Sequence, residues 1–240
     1  MTTSVGTKTI SNNKYTAYSG GVSILQRFIQ EVSTFVSNIS DTDYLKWAML
    51  AQHYGVPTRL LDWTTNPLVA LYFACVDSSE NDGAIWIIHS NNYNRFFHEN
   101  WDKGENAKTI GEIAESLIRE KEKNNLPQRP MLLNPYYIDQ RMAMQSSRFM
   151  VWGTDSSDLD DMIKKEYYME IPPEDKVWKE YGEKEEKQFA FCIRIRGLDK
   201  QSMIRQLEEI GISGKVLFPG LEGIGKFIER HYRFSYGETL

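Results

Sequence analysis

Apolar residues recur at helical spacing in three stretches of the N-terminal part of the chain. In residues 22–36 the apolar positions fall on one face of a helix: Ile24, Leu25, Phe28, Val32 and Phe35. A second helix is expected to begin at Asp41 or Asp43, either of which suits an N-cap. A third is expected after Asn66, where Pro67 fits the first helical position. Five residues of this third helix are predicted to face the core: Leu68, Leu71, Tyr72, Cys75 and Val76.

The remaining pattern mixes strands with further helices. Short apolar or alternating runs predict strands at 84–89, 147–153, 167–171, 189–196 and 216–218. A helix over about 109–123 alternates acids and bases, which is typical of a solvated face. Two more helices are predicted, one after Asp199 and one beginning with residues 223–232, and Gly211 is expected to end the first. The apolar side chains of the helix after Asp199 are predicted to face inward: Met203, Ile204, Leu207 and Ile210.

The order of these elements predicts the fold class. Strands and helices alternate without a regular βαβ rhythm, so we expect an α+β fold with a mixed, mostly antiparallel sheet flanked by helices. Residues 1–14 are polar and are expected to form a flexible terminus. Residues 15–240 are expected to form a single domain.

Composition and charge narrow the class of protein. Hydrophobic residues make up 41% of the 240 residues and aromatic residues 12%, which is enough for a globular core. The net charge of −5 argues against nucleic acid as the main partner, because nucleic-acid-binding proteins usually carry a basic excess. No apolar run reaches the roughly 20 residues of a membrane span, and the N-terminus lacks a signal-peptide core. We therefore expect a cytoplasmic protein with no membrane partner and with Cys75 and Cys192 as buried thiols.

The segment AQHYGVPTRLLDWTTNPLVALYFA, residues 51–74, sets polar residues directly before an apolar helix. Gly55 and Pro57 favour a rigid turn. Around this turn lie residue types that bind or react with ligands: Gln52, His53, Tyr54, Arg59, Asp62 and Trp63. One interpretation is a pocket in which His53, Arg59 and Asp62 meet. The other is an internal ion pair of Arg59 with Asp62, with Trp63 in the core.

Two other segments are candidates for binding. Four polar residues lead into a predicted strand: Gln140, Arg141, Gln145 and Arg148. An arginine this close to a sheet could bind an anion, and ordinary loop polarity is the alternative. Glu222 follows a Pro-Gly turn and could cap the last helix. The scattered histidines and cysteines give no zinc-site spacing, and neither a P-loop nor a GxSxG motif occurs, so no metal is expected.

The segment at residues 51–74 resembles the central signature of the FRG domain family, which carries a close version of QHYGxPTRLLDWTxxPxxALYFA. Two further blocks are similar to the family in the same order. QSSRF at 145–149 resembles QxGxF, and KQSMIRQLEEIGISGKVLFPGLEG at 200–223 resembles the family's C-terminal helix and LFPDLDG turn. The resemblance covers roughly residues 15–230.

The chain departs from the family at its N-terminal Phe/Tyr-Arg-Gly, whose nearest counterpart is Tyr18-Ser19-Gly20. Ser19 then stands in place of the arginine. The arginine was lost naturally, or it was changed to serine to silence a harmful activity. The third alternative is that the true counterpart of the motif lies elsewhere in the chain. Either replacement implies that an arginine there does chemistry and that this chain is impaired.

The resemblance implies a bacterial or phage protein of conflict and defence contexts. An early arginine, a His-Tyr segment and a later Gln or Glu are together similar to ADP-ribosyltransferases, which implies NAD as the cofactor. By this analogy Arg59 or Arg148 would bind the phosphates, and Tyr54 and Trp63 would pack against the rings. His53 would bind a ribose hydroxyl, and Gln145 or Glu222 would orient the acceptor.

A non-catalytic module is the alternative function. It would bind a nucleotide, a nucleic-acid end or a protein partner, with the polar cluster serving as a recognition pocket. Gln145 cannot carry the negative charge that a transferase needs, and this missing carboxylate favours the binding module.

Overall fold

Two β-sheets and the helices packed on them make up the described part of the chain. The computed structural model describes residues 3–4, 21–76, 81–90, 93–94, 109–120, 126–135, 137–155, 159, 168–171 and 190–236. The strands are β1 (Thr3–Ser4), β2 (Leu60–Thr64), β3 (Gly83–Ile88), β4 (Met131–Leu133), β5 (Ser147–Val151), β6 (Tyr168–Ile171) and β7 (Ala190–Ile195). One sheet has the order β1-β3-β7-β6 and the other β2-β5-β4.

The strand directions confirm the predicted α+β class with mostly antiparallel pairing. Within the described strands, β6 and β7 pair in parallel and the other neighbours are antiparallel. The strands form two separate sheets, whereas the sequence predicted a single sheet. Thr3–Ser4 pairs with β3, although a flexible terminus was expected there, and the rest of residues 1–14 lies outside the described residues.

The helices follow the predicted starts closely. They are α1 (Gly21–Val32), α2 (Tyr44–His53), α3 (Pro67–Val76), α4 (Ile110–Ile118), α5 (Gln140–Met144), α6 (Lys200–Glu209), α7 (Gly214–Leu217) and α8 (Leu221–Tyr236). Asp43 caps α2 by accepting from the Lys46 amide at 3.1 Å, and Asn66 caps α3 by accepting from the Leu68 amide at 2.9 Å. Across the described helices, none has the length and apolar character needed to cross a membrane.

The core on one side of β2 and β5 is built by α2 and α4. Trp47 and Ala51 of α2 pack there with Leu117 of α4 and Phe149 of β5. The helix predicted at 109–123 therefore buries one face, and a capping box between Thr109 and Glu112 sets its start.

Three sequence predictions are wrong in the C-terminal region and in α3. Residues 216–218 do not form a strand, because 214–217 are helical and bury Leu217 in a cluster with Val69 and Tyr72. Leu68 is exposed because its neighbour Val69 takes the inward position. Ile210 is exposed because it lies past the last turn of α6, where Gly211 takes a φ of +88° and ends the helix as predicted. Cys75 is buried as predicted, and Cys192 is half-buried.

Candidate functional site

A cleft of about 130 Å³ lies against the three-stranded sheet. Its floor comes from β2 and β5, whose register sets Asp62 opposite Phe149 and Thr64 opposite Ser147. Alternation along the strands sends these four side chains to the same face. The walls come from the end of α2, from α5 and from Phe73 of α3. The residues lining the cleft are Gln52, His53, Asp62, Trp63, Thr64, Phe73, Arg141, Met142, Gln145, Ser147 and Phe149.

One threonine joins the elements that form this cleft. The Thr64 hydroxyl donates to the Gln145 carbonyl oxygen at 2.6 Å and accepts from the Asn66 amide at 3.0 Å. It therefore ties the end of β2 to the end of α5 and to the start of α3. Because Thr64 is buried, these hydrogen bonds are shielded from water.

His53 is paired with a carboxylate. Its Nδ1 lies 3.0 Å from Oδ2 of Asp139, and both side chains are largely buried. Burial lowers the pKa of His53, and Arg141 acts in the same direction, while Asp139 and Asp62 oppose the shift. The imidazole is therefore neutral at neutral pH, and its Nε2 is the ring nitrogen left for a ligand.

Asp62 contributes a carboxylate to the cleft. The Gln52 side-chain amide donates to its Oδ2 at 2.8 Å, and the Thr58 hydroxyl fixes that amide by donating to its oxygen at 2.7 Å. Asp62 is exposed by its accessible surface, yet protein atoms crowd around its carboxylate, and this partial desolvation raises the pKa of Asp62. The Gln52 hydrogen bond, Arg141 and His53 lower it in turn. Asp62 can therefore take up a proton more readily than an ordinary aspartate.

The cation of the cleft is Arg141. Its guanidinium donates to the His53 carbonyl oxygen at 3.3 Å and lies over the Phe218 ring, 4.5 Å from the centroid. Its charge lowers the pKa values of both His53 and Asp62. Arg141 therefore has the position that the sequence assigned to Arg59.

Arg59 does not meet His53 and Asp62. Its guanidinium donates to the Gly153 carbonyl oxygen and to Glu120, each at 3.0 Å. Arg59 and Asp62 are three residues apart along extended backbone. Because side chains alternate between the two faces of such backbone, these two point to opposite faces. Both the predicted three-residue pocket and the predicted Arg59–Asp62 ion pair are therefore wrong, and the ion pair forms with Glu120 instead.

The two aromatic residues of the signature are not poised to stack on a ligand. Trp63 is buried and packs with Ile88, Tyr93 and Met150, on the face of β2 opposite to Asp62. This matches the interpretation of Trp63 as a core residue. Tyr54 is 70% exposed and meets the His53 ring edge-to-face at 4.9 Å. Phe73 of α3, rather than Tyr54, lines the cleft.

Of the other predicted site residues, one lies at the cleft and one lies away from it. Gln145 lines the cleft but donates its amide to the Leu217 carbonyl oxygen at 3.0 Å, so it joins α5 to α7. Arg148 lies away from the cleft and donates to the Tyr137 hydroxyl at 2.9 Å. Glu222 lies in the first turn of α8, and its side chain, like the whole of Ser19, lies outside the described residues.

One residue of the site was missed by sequence reasoning, and a second was named only as a candidate contact for an anion. Asp139 precedes α5 as its N-cap, and Arg141 lies in the first turn of that helix. An aspartate before a short helix was a usable signal for a cap. No sequence pattern indicated that Asp139 pairs with His53. The two residues are 86 positions apart, and only the fold brings them together.

Among the described residues, no group of three or more His, Cys, Asp or Glu side chains is arranged to hold a metal ion. The polar groups of the cleft can offer hydrogen bonds and charge to a ligand.

Comparison with known proteins gives a family match. The family model described as FRG domain matches residues 3–83, which include α1, α2, β2 and α3. This confirms the resemblance carried by the signature at 51–74, while the blocks at 145–149 and 200–223 lie beyond the matched residues. Comparisons with curated proteins and with solved structures gave no match.

Proposed function

This chain carries an FRG domain, and from that premise we propose that its cleft binds a nucleotide and breaks the N-glycosidic bond of NAD. The reaction would be that of an ADP-ribosyltransferase or an NAD glycohydrolase. The ADP-ribose unit would pass to an acceptor in the first case and to water in the second. The bond from ribose C1′ to the nicotinamide nitrogen breaks, its electron pair stays with nicotinamide, and the acceptor loses a proton as it bonds to C1′.

The observation that carries this proposal is the carboxylate of Asp62 beside His53 in one cleft. Positive charge develops on the ribose as the C1′–N bond breaks, and a fixed carboxylate stabilises that charge. Gln145 cannot do so, which was the weakness of a transferase proposal built on the sequence alone. Asp62 supplies the missing group, and Gln52 holds it in place.

The other cleft residues fit a nucleotide in the same way. Arg141 offers positive charge for a diphosphate, a role expected of Arg59 or Arg148 from the sequence. Phe73 offers an apolar ring against nicotinamide. Neutral His53 can accept a proton from the attacking hydroxyl or water.

A non-catalytic module remains the second candidate, and the size of the cleft favours it. Pockets that enclose whole ligands usually measure about 300–1,000 Å³, whereas this cleft measures about 130 Å³. It accommodates one ring or one ribose. Such a cleft would suit recognition of a nucleotide, a nucleic-acid end or a side chain of a protein partner.

The biological setting is part of the proposal. A chain that consumes NAD would act as a toxin in a bacterial or phage conflict, for example in antiphage defence. Its substrate is a cytoplasmic metabolite, which agrees with the compartment expected from the composition.

Nicotinamide release from NAD tests the enzymatic proposal. We expect the purified chain to release nicotinamide and the Asp62→Asn variant to lose about 10²–10³-fold in rate, because a preorganised charge is removed from the transition state. Arg27→Ala, which changes an exposed side chain on α1, is the matched control and should keep the full rate. Saturable NAD binding without nicotinamide release, by this chain and by its Ser19→Arg variant, would support the binding module instead.

Ser19→Arg provides a cellular test. If Ser19 replaces a working arginine, this variant should be toxic on expression and should deplete cellular NAD. Adding Asp62→Asn to the same chain should abolish both effects. A harmless Ser19→Arg variant with unchanged cellular NAD would count against catalysis.

A further inference from the structure

The side chain of Asp139 is held by a hydrogen bond at one oxygen and approaches His53 with the other. Oδ1 accepts from the Met142 backbone amide at 2.8 Å, as the N-cap of α5. Oδ2 is buried, makes no well-directed hydrogen bond within the described part of the chain, and lies 3.0 Å from Nδ1 of His53. The carboxylate therefore cannot rotate away from the imidazole without giving up the cap.

The buried oxygen of Asp139 determines which ring nitrogen of His53 carries the proton. Among the described residues, no donor other than the imidazole lies within hydrogen-bond reach of Oδ2. A buried carboxylate oxygen without a donor is strongly disfavoured, so Nδ1 carries the proton of the neutral ring. That leaves Nε2 with its lone pair.

The backbone next to the imidazole is held as well. The Arg141 guanidinium donates to the His53 carbonyl oxygen at 3.3 Å, which ties the end of α2 to α5. The Tyr54 ring meets the imidazole edge-on at 4.9 Å between centroids. The same five-residue helix that carries Arg141 into the cleft thus also carries the cap that orients His53.

We infer that Asp139 is the positioning residue of the site, which holds His53 as the Nδ1–H tautomer so that Nε2 can accept a proton in the cleft. Asp139 does not line the cleft and would act through His53 alone. The inference rests on the proposed function, since Nε2 needs a proton to accept, but the tautomer itself can be measured without any nucleotide.

The Asp139→Asn variant distinguishes positioning from simple capping. The Asn side-chain oxygen can keep the cap to the Met142 amide, which forces its NH₂ group toward Nδ1 of His53. Because that NH₂ group is a donor, Nδ1 must become an acceptor, and the proton must move to Nε2. The variant keeps the shape of the site and reverses the tautomer.

The experiment is a two-bond ¹H–¹⁵N correlation spectrum of the full chain with labelled histidine, without nucleotide, at about pH 8, where the imidazole is neutral. His53→Gln identifies the resonance. We expect Nδ1–H in the wild-type chain and Nε2–H in Asp139→Asn. Asp43→Asn, which alters the equivalent cap of α2, is the matched control and should leave the tautomer of His53 unchanged.

A wild-type chain with the proton on Nε2 would overturn the inference, and so would an Asp139→Asn variant that keeps Nδ1–H. Nicotinamide release supplies the second readout. There we expect kcat to fall by about 10²-fold or more with KM for NAD nearly unchanged, because only the proton acceptor is lost. A reversed tautomer in a chain that never cleaves NAD would refute the proposed function and leave the orientation of His53 by Asp139 established.

Discussion

The protein around Asp62 disfavours the ionised form of its carboxyl group. Burial raises the pKa of its carboxyl above the ordinary value of 3.8, and the hydrogen bond from Gln52 offsets only part of that effect. Groups held in an unfavourable ionisation state are common where a protein binds or reacts with a ligand. Arg59, which points to the other face of the strand, pairs with Glu120 and leaves the Asp62 carboxylate to the cleft.

The raised pKa gives a stability prediction with a definite sign. Between pH 3.8 and the higher folded-state pKa, the folded protein binds more protons than the unfolded chain, so Asp62 lowers stability as pH rises through that window. Asp62→Asn should therefore raise the free energy of unfolding at pH 7 by about 0.5–1 kcal/mol, a small gain because the side chain keeps solvent contact.

Urea unfolding of the wild-type chain and the Asp62→Asn variant at about pH 4 and pH 7 measures this effect. The gain should be larger at the higher pH. A variant that is less stable than wild type at pH 7 would show that the Asp62 carboxylate serves the fold.

The sequence identified several of the residues that line the cleft. Gln52, His53 and Asp62 were predicted because functional residue types crowd a rigid turn. Arg59 was misplaced, since the signature shows its residue type but not the alternation of faces along β2. Asp139 was missed, and Arg141 was named only as a candidate anion contact, because the roles of both depend on a contact between α2 and α5 that no local pattern encodes.

At the scale of elements, the packing of α7 and α8 depends on a close approach at Gly214. A Cβ there would lie 2.9 Å from the Tyr72 hydroxyl, which accepts from Arg230 of α8 at 3.2 Å. Glycine at this position lets the helical turn at 214–217 pack closely against α3. The apolar run at 216–218 predicted a strand because periodicity cannot distinguish a short strand from a single helical turn.

Gly214→Ala should therefore destabilise the protein by about 1–3 kcal/mol, because the new methyl group displaces the Tyr72 hydroxyl from Arg230. Gly225→Ala is the matched control in α8. Its Cβ would meet open space, so the gain in helix propensity should stabilise the protein by about 0.5–1 kcal/mol. Thermal unfolding of both variants checks the pair, and equal effects at the two positions would contradict the packing at Tyr72.

At the scale of the whole molecule, the site is assembled from distant parts of the chain. The family match ends at residue 83, yet the strand that pairs with β2 is β5, and the residues that hold His53 lie on α5. Helix α5 is in turn joined to α7 through Gln145. The signature at 51–74 therefore cannot form the cleft without the later half of the chain.

A fragment of residues 1–83 should accordingly fail to fold. β2 would lose its partner β5, and the core around α2 would lose the packing of α4. Circular dichroism should show a largely unfolded fragment without a cooperative thermal transition. A cooperatively folded fragment would contradict the assembly of the site from both halves.

Calorimetric titration of the full chain with NAD tests the central claim most directly. The account predicts saturable binding that is lost in the double variant His53→Ala, Asp62→Asn. It predicts unchanged binding in Arg148→Ala, because Arg148 contacts Tyr137 away from the cleft. Binding that survives the double variant, or that depends on Arg148, would contradict a nucleotide site between α2, β2 and α5.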